Sequence, residues 1–350
     1  MTTLADLGGW SPVLRRLLSG KDLTAEETDA AFGDVLEGTA TPAQIAAFVV
    51  ALRMKGETVP EMAGMVRALF RFAVPLEVPD AADVVDTCGT GGDGSGSINV
   101  STVAAFVVAG AGARVVKHGN RAMSSATGSA DLLEALGVVA DLGPAGVVRC
   151  LDEAGMAFCF AQRFHPCFRF AAPVRRELGV PTVFNFLGPL ANPAHPGRQV
   201  VGVSDPAMAE KMAGVLAANG ARRALVVYGH DGLDELTTTT TSTVIDARNG
   251  ELVRSTVDPA ALGLRSAGPD DLAGGDPASN ATAARRILDG EHGHHRDLVV
   301  LNAAAGVLVA GLAPSLEAAV EVAARSIDEG RAAGVLERLV AASTTAAASA

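Results

Sequence analysis

The first 75 residues show the apolar spacing of short amphipathic helices. Between Ala43 and Met54, for example, the large apolar residues fall on one broad helical face. Capping signals precede three of the expected helices, at Thr24–Glu27, Thr41-Pro42 and Thr58–Glu61. The pattern therefore predicts four short helices joined by short links, which together form a small helical bundle.

From Asp83 onward, short runs rich in β-branched residues alternate with helical stretches. The predicted strands are Asp83–Asp86, Arg114–Lys117, Gln199–Val203, Arg223–Tyr228 and Leu298–Leu301. The predicted helices include Thr102–Ala111 and a stretch near Gly128–Leu136. This alternation predicts an α/β domain with a mainly parallel central sheet and helices on both of its faces.

These patterns divide the chain into a helical domain over residues 1–78 and an α/β domain over residues 79–340. A later helical stretch, at about residues 165–190, is expected to contribute to the helical domain. The last ten residues, AASTTAAASA, have low complexity, so we expect a disordered tail over residues 341–350.

Composition and charge narrow the possible functions. Of the 350 residues 49% are hydrophobic, yet no apolar run approaches the length of a membrane helix, which is roughly 20 residues. The amino terminus lacks the basic-then-apolar order of a signal peptide, so we expect a cytoplasmic protein with no membrane partner. The net charge of −11 argues against a nucleic-acid partner, because such binding depends mostly on Lys and Arg. The four cysteines form no CxxC pair and are expected to be buried thiols.

The strongest chemical signal is the glycine-rich stretch Asp86–Thr102, which lies between a predicted strand and a predicted helix. Five glycines in eight residues leave the backbone N–H groups accessible to a ligand, and a helix start favours an anion. Residues 89–94 also match the GxGxxG dinucleotide motif, but no Asp or Glu occurs between Gly94 and Ala130. No Lys follows at the spacing of a Walker A motif either.

Three further stretches carry possible binding groups. Lys117–Ser125, followed by Gly128–Asp131, offers a Lys, an Arg and hydroxyl groups that suit phosphate. Phe160–Pro166, which continues to Arg175–Gly179, places arginines near aromatic residues, and an Arg there would suit a carboxylate on an aromatic ring. Asp234 and Glu235 follow a predicted strand and are suited to Mg²⁺. Each signal alone has an ordinary structural explanation, such as a basic turn, surface arginines or a solvated acidic loop.

Taken together and in this order, these motifs resemble anthranilate phosphoribosyltransferases. The resemblance covers nearly the whole chain, to about Val340, and rests on GTGGD, KHGNR, RRELG leading to FNFLGPLANP, and DGLDE. It implies a small helical domain beside a larger α/β domain, with the active site in the hinge cleft. It also implies a homodimer formed through the helical domain, and a fold shared with pyrimidine nucleoside phosphorylases.

The resemblance also implies roles for individual residues. The donor, 5-phosphoribosyl 1-pyrophosphate, is expected to contact Gly89, Gly92, Asp93, Ser97, Asn99, Val100, Ser101, Thr102, Lys117, His118, Gly119, Asn120, Arg121, Ala122, Met123, Ser124, Ser125 and Ser129. Anthranilate is expected to meet Gly89, Asn120 and Arg175, with His118, His165 and Pro189 as walls. Two Mg²⁺ ions are expected, one at Ser101 and one at Asp234 with Glu235. Lys117, Arg175 and Asn120 are the expected catalytic residues.

The implied reaction transfers the phosphoribosyl group to the amine of anthranilate, releases pyrophosphate and belongs to tryptophan biosynthesis. Such a reaction needs stabilisation of the leaving group and positioning of a neutral amine, and no strong base. Two alternatives remain at this point. One is an enzyme like the pyrimidine nucleoside phosphorylases, and the other is a binding protein that has the fold without the reaction.

Overall fold

Four helices form the amino-terminal bundle of this computed structural model, which describes residues 2–122 and 126–349. They are α1 (Trp10–Leu18), α2 (Ala25–Glu37), α3 (Pro42–Lys55) and α4 (Val59–Phe72). Thr24, Thr41 and Thr58 each begin a helix with a complete capping box, in which side chain and backbone exchange hydrogen bonds. The predicted bundle and its capping signals are therefore confirmed.

The rest of the chain alternates between strands and helices. The strands are β1 (Val85–Gly89), β2 (Val115–Gly119), β3 (Met156–Phe160), β4 (Arg198–Gly202), β5 (Arg223–Gly229), β6 (Ser242–Arg248) and β7 (Glu251–Val257). The helices are α5 (Val100–Gly110), α6 (Ser129–Ala135), α7 (Pro144–Ala154), α8 (Ala161–Phe164), α9 (Ala172–Leu178), α10 (Phe184–Leu187), α11 (Pro206–Ala218), α12 (Pro277–Leu288), α13 (His294–Ala310), α14 (Leu316–Asp328) and α15 (Arg331–Ala348). Within the described residues, no helix is long and apolar enough to cross a bilayer.

The seven strands form one sheet in the order β3-β2-β1-β4-β5-β6-β7. The first five in this order are parallel, and β6 and β7 add antiparallel at one side. Chain order reverses between β1 and β4, so a crevice opens at the carboxyl ends of these two strands. Ligands of open α/β sheets bind at such a switch point. The mainly parallel sheet is confirmed, and the glycine-rich stretch leaves it at this crevice.

Two apolar cores lie on opposite faces of the sheet. One contains α5, α7 and α12 to α15. The other joins the bundle helices to α11 and to residues of the 165–190 stretch, including Val174 and Phe184. All four cysteines are buried and free, as expected. The second core thus ties the helical bundle to the sheet on the side where the 165–190 stretch lies.

Two predictions about the carboxyl-terminal part were wrong. Leu298–Leu301 is not a strand, because it forms part of the buried helix α13. A short apolar run that is buried on all sides has no periodicity that separates strand from helix. The predicted disordered tail over residues 341–350 is also wrong, since α15 extends to Ala348 and buries Ala342 and Ala346. Alanine has the highest helix propensity, and this stretch packs into the core of the α/β domain.

Candidate functional site

Two glycines at the strand ends allow the acidic loop to approach the sheet. Gly89 ends β1 and Gly202 ends β4, and the two residues are register partners. A Cβ atom on Gly89 would lie 2.6 Å from Oδ2 of Asp234, and one on Gly202 would lie 1.6 Å from the carbonyl oxygen of Asp234. A side chain at Gly89 would displace the Asp234 carboxylate, and one at Gly202 would displace the loop backbone, so the two glycines permit Asp234 to lie above the crevice.

The glycine-rich loop after β1 contacts the same carboxylate. The backbone N–H of Gly91 donates to Oδ2 of Asp234 over 2.7 Å. The N–H of Asp234 in turn donates to Oδ2 of Asp93 over 3.4 Å. On the other side of the loop, the Thr90 and Ser204 hydroxyl oxygens lie 3.2 Å apart. The structure therefore brings the predicted glycine loop and the predicted acidic pair into one unit.

The first turn of α5 holds the second acidic residue. The N–H of Ser101 donates to Oε1 of Glu235 over 3.1 Å, which places a carboxylate at the positive end of the helix. Asn99 precedes this turn without capping it through its side chain. Val100 and Thr102 are buried in α5, so any ligand contact from them must come from the backbone. Ser97 pairs with a distant segment, and Gly92 lies exposed in the loop.

Lys117 lies beneath the glycine loop and not on the crevice surface. Its side chain is among the largest fully buried ones, and Nζ donates to the carbonyl of Thr87 and, over 3.1 Å, to Oγ of Ser101. The ammonium group also stabilises the charged forms of Asp86 and Glu235. Lys117 therefore supplies positive charge from below the loop while it fixes the Ser101 hydroxyl.

Burial raises the pKa of both carboxyl groups of the acidic pair. Burial and the nearby charge of Asp93 raise the pKa of Asp234 to about 7. Burial and the charge of Asp234 raise the pKa of Glu235 well above its ordinary value. Among the described residues, no three His, Cys, Asp or Glu side chains form a complete cage for a metal. Two neighbouring carboxylates suit Mg²⁺, which takes waters and substrate phosphates as its other ligands.

The loop after β2 is braced by α6. A Cβ atom on Gly119 would lie 2.1 Å from Oγ of Ser129, whose hydroxyl donates to the Asn120 carbonyl over 3.1 Å. Arg121 forms ion pairs with Asp131 and Glu134 and lies over the ring of Phe160, and the Ala122 N–H also donates to Asp131. The charge of Arg121 is thus already paired. Met123, Ser124 and Ser125, which the sequence assigns to the donor site, lie outside the described residues.

A pair of neutral histidines lies beside this loop. His118 and His165 have ring centroids 5.2 Å apart in an edge-on arrangement. Burial lowers the pKa of His118 to about 3 and that of His165 to about 4. His118 Nδ1 lies 3.1 Å from the carbonyl oxygen of Gly188, and His165 Nε2 lies 2.7 Å from that of Ala191. Pro189 is buried in the short turn that carries the Gly188 carbonyl, so the structure brings all three predicted wall residues together.

Arg175 lies at the far end of an aromatic row that starts at the histidines. Its guanidinium lies 5.2 Å from the centroid of the Phe184 ring, Phe184 packs on Phe168, and Phe168 packs on His165. Burial lowers the pKa of Arg175, and no charged partner affects it among the described residues. A half-buried, unpaired guanidinium beside aromatic rings provides a site for a carboxylate on an apolar molecule.

Several polar residues to which no motif gave a role also hold this site. Buried Asp86 accepts from the N–H of His118 over 3.2 Å and from Nδ2 of Asn192 over 2.9 Å. Burial raises the pKa of Asp86. Asn280 and Asn302 are buried in helices that no motif includes. For Asn302 a signal exists, since it interrupts an otherwise apolar helical run.

The comparisons with known proteins agree with this arrangement. A family model described as the helical bundle domain of a glycosyl transferase family matches residues 11–73, and one described as the a/b domain of that family matches residues 81–333. The anthranilate phosphoribosyltransferase of Arthrobacter sp. is 53% identical over 338 residues, which are 95% of either chain.

Two solved structures agree with the whole fold. Anthranilate phosphoribosyltransferase from Thermus thermophilus is 43% identical, with a TM-score of 0.89 over 95% of this chain and 99% of that one. The Saccharomyces cerevisiae enzyme, in complex with PRPP and Mg, is 26% identical, with a TM-score of 0.86 over 95% and 97% of the two chains.

The chain belongs to the anthranilate phosphoribosyltransferase family. The resemblance seen in the motifs is therefore confirmed, and so is the predicted combination of a small helical domain with a larger α/β domain. Relatives that match this chain over about 95% of its length are named anthranilate phosphoribosyltransferases, so this membership disfavours the alternative of a nucleoside phosphorylase.

Proposed function

We propose that this chain transfers the phosphoribosyl group of 5-phosphoribosyl 1-pyrophosphate to the amine of anthranilate, releasing pyrophosphate, as a step of tryptophan biosynthesis. The observation that carries this proposal is that three groups meet at one crevice, with the third buried beneath it. The glycine loop binds Asp234 through Gly91, α5 binds Glu235 through Ser101, and buried Lys117 connects Ser101 to β1. A polyphosphate donor with Mg²⁺ matches this combination of carboxylates, open N–H groups and buried positive charge.

We assign the donor to the two loops that follow β1 and β2. Asp234 and Glu235 would hold one magnesium ion, and the free lone pair of Ser101 Oγ would take part in holding a second. Bound Mg²⁺ supplies positive charge that offsets the negative charge developing on the leaving pyrophosphate. The loop N–H groups would orient the phosphates, and Lys117 would add a fixed positive field from below. No large reorganisation of these groups is needed during the reaction.

We assign anthranilate to the side of the crevice lined by the histidine pair. Arg175 would bind the carboxylate, because it is half-buried and carries no charged partner among the described residues. His118 and His165 are neutral, so with Pro189 they form an uncharged wall that suits an aromatic ring. Asn120 would orient the amine toward the ribose. The amine is neutral and nucleophilic already, so positioning is the main contribution of these residues.

We also propose that the helical domain forms a homodimer. Leu18 at the end of α1 is 77% exposed, and Met54 near the end of α3 is 85% exposed. Ala43 and Ala47 continue the exposed apolar face of α3. The two helices are neighbours, since the Trp10 ring of α1 packs edge-on against a ring of α3. Two adjacent helices with an unpaired apolar stripe favour a self-complementary interface.

Two further assignments follow from the proposed reaction. A polyphosphate does not cross a bilayer unaided, so the enzyme would act in the cytoplasm, where its donor is made. The hinge would lie near residue 78, between a helical domain that includes part of residues 165–190 and an α/β domain. The proposed cleft lies between Arg175, on α9 of this helical contribution, and the glycine loop of the α/β domain.

The decisive experiment measures loss of anthranilate fluorescence after the chain is mixed with 5-phosphoribosyl 1-pyrophosphate and Mg²⁺. We expect turnover that stops when EDTA is added. A parallel reaction with a pyrimidine nucleoside and inorganic phosphate should give no product. Binding of both substrates without turnover would instead support a non-catalytic member of the family and would refute the proposed function.

A further inference from the structure

Two buried asparagines outside the predicted site contact the loops that form it. Asn280 lies in α12 and is 4% exposed, and Asn302 lies in α13 and is 2% exposed. Buried amides need partners for both their oxygen and their nitrogen. In each case at least one partner belongs to a site loop that lies far away in the sequence.

Asn280 belongs to a closed ring of four hydrogen bonds. Its Oδ1 accepts from the N–H of Gly275 over 2.7 Å, and its Nδ2 donates to Oδ1 of Asn99 over 2.9 Å. The Nδ2 of Asn99 donates to the carbonyl of Thr127 over 2.9 Å. The Thr127 hydroxyl donates to the carbonyl of Gly275 over 2.8 Å, which closes the ring.

This ring joins three loops at one point. Asn99 ends the glycine loop, Thr127 ends the loop after β2, and Gly275 belongs to the segment before α12. That segment also forms backbone bonds to the glycine loop, including one from the Gly274 N–H to the Gly96 carbonyl over 2.7 Å. Both ends of the Asn99 amide are occupied, so its orientation is fixed and it does not cap α5.

Asn302 holds the acidic loop in a similar way. Its Oδ1 accepts from the N–H of Leu236 over 2.9 Å, and its Nδ2 donates to the carbonyl of Leu236 over 2.8 Å. Nδ2 also donates to the carbonyl of Leu298 within α13. Leu236 directly follows the acidic pair, so the backbone that carries Glu235 is fixed to a buried helix of the α/β core.

We propose that Asn280 and Asn302 are positioning residues for the two halves of the donor site. Asn280 holds the two phosphate-binding loops in register, and Asn302 holds the magnesium-binding carboxylates. This inference rests on the proposed function, because it assigns donor phosphates to the first half and Mg²⁺ to the second. It predicts that loss of each amide has a different effect.

The first test replaces Asn280 by Leu and by Asp. Asn280→Leu removes both hydrogen bonds at similar volume, and we expect the KM for the phosphoribosyl donor to rise about tenfold, with a much smaller rise in the KM for anthranilate. Asn280→Asp retains the acceptor but places a carboxylate against Oδ1 of Asn99. When protonated, the introduced carboxyl can donate to Asn99 again, so the donor KM relative to wild type should recover as pH falls.

The second test replaces Asn302 by Leu and by Ala. Either change removes both bonds to Leu236, and we expect the Mg²⁺ concentration for half-maximal rate to rise about tenfold. Saturating Mg²⁺ should restore most of kcat, because the carboxylates themselves are intact. Asn302→Ala leaves space for water, so its effect should be smaller than that of Asn302→Leu.

Ser343→Ala provides the matched control. Ser343 lies in α15, which contributes no residue to the proposed site. It is fully buried, and its hydroxyl accepts from the N–H of Val139 over 3.1 Å. This variant should lose stability without change in either KM or in magnesium dependence. Equal rises of both KM values in the Asn280 variants, or unaltered magnesium dependence in both Asn302 variants, would overturn the inference.

Calorimetric binding of the donor in Mg²⁺ buffer separates this inference from the proposed function. A wild-type chain that binds the donor without turnover contradicts the proposed activity alone. Weaker donor binding by Asn280→Leu would still support the positioning role in that case. Equal donor affinity of wild type, Asn280→Leu and Asn302→Leu at limiting Mg²⁺ would refute it.

Discussion

The backbone N–H of Ser101 donates to Oε1 of Glu235 over 3.1 Å, across 134 positions of sequence. The bond brings the start of α5 and the acidic loop together. The buried ammonium of Lys117 contacts the Ser101 hydroxyl, so Ser101 lies between a positive group from β2 and a negative group of the acidic loop. Such an arrangement is preorganised for a cation and a polyphosphate together.

Removal of either acidic charge should weaken the response to magnesium. Asp234→Asn and Glu235→Gln retain hydrogen-bond acceptors for Gly91 and Ser101 but remove the charge that attracts Mg²⁺. We expect the half-saturating Mg²⁺ concentration to rise about tenfold or more, since charge-assisted interactions are roughly twice as strong as neutral ones. Titration of initial rate against Mg²⁺ measures this effect.

Glu251→Gln is the control for these two variants, because Glu251 is exposed on β7 away from the crevice. Its magnesium titration should overlay that of the wild type. A titration that is also unchanged in both Asp234→Asn and Glu235→Gln would exclude these residues as metal ligands.

Arg175 should control affinity for the acceptor and not for the donor. Arg175→Ala removes the unpaired guanidinium over Phe184, and we expect the anthranilate KM to rise about 10- to 100-fold, as for loss of a hydrogen-bonded charge. The donor KM should change little. Arg176→Ala is the matched control, because this neighbouring arginine is exposed. Equal rises in both KM values would show that Arg175 does not bind the carboxylate.

Gly202 should be more sensitive to alanine than its sequence context suggests. A Cβ atom there would lie 1.6 Å from the Asp234 carbonyl oxygen, so the acidic loop must move. We expect Gly202→Ala to reduce the free energy of unfolding by about 1–3 kcal/mol, as overpacking does. The half-saturating Mg²⁺ concentration should also rise, because the acidic loop is displaced. Gly143→Ala is the control, since Gly143 has nothing within 4 Å of an added Cβ atom. Urea denaturation and a magnesium titration of both variants test this, and wild-type behaviour of Gly202→Ala would contradict the structure.

Much of the fold was predictable from local pattern. Each capping box, at Thr24, Thr41 and Thr58, involves a segment of only four residues. Four of the predicted strands begin within two residues of where they begin in the structure. The Leu298–Leu301 run misled because a fully buried helix and a buried strand are equally apolar. Periodicity alone does not separate them, whereas the alanine-rich continuation of the run is more typical of a helix.

The site was predictable as a set of motifs, but not in its connections. Lys117 was expected to contact phosphates, yet its strand is buried on both faces and its ammonium lies beneath the loop. The bond between Asn280 and Asn99 spans 181 positions, and no spacing rule relates residues so far apart. Such contacts arise only when the sheet brings the strand ends to one edge.

The neutral histidine pair should make the folded state sensitive to acid. In the unfolded chain His165 has its ordinary pKa of 6.5, whereas in the folded chain burial lowers it to about 4. Below pH 6.5 the unfolded state therefore binds more protons, and stability falls as pH decreases toward 4. In His165→Gln the amide can still donate to the Ala191 carbonyl, but it takes up no proton. Urea denaturation should show a smaller loss of stability between pH 7 and pH 5 in this variant, and parallel losses in both proteins would contradict the assignment.

The proposed dimer predicts that charge on the exposed apolar stripe blocks self-association. Leu18→Glu and Met54→Glu place carboxylates on α1 and α3 at positions that are 77% and 85% exposed, so folding should not be impaired. Two symmetry-related stripes would bring these charges together, and like charges at an interface oppose association. Sedimentation equilibrium should give a dimer for the wild type and a monomer for the double variant. Val253→Glu, which alters an apolar residue that is 57% exposed on β7, should remain dimeric. A monomeric wild type, or a dimeric double variant, would rule out this interface.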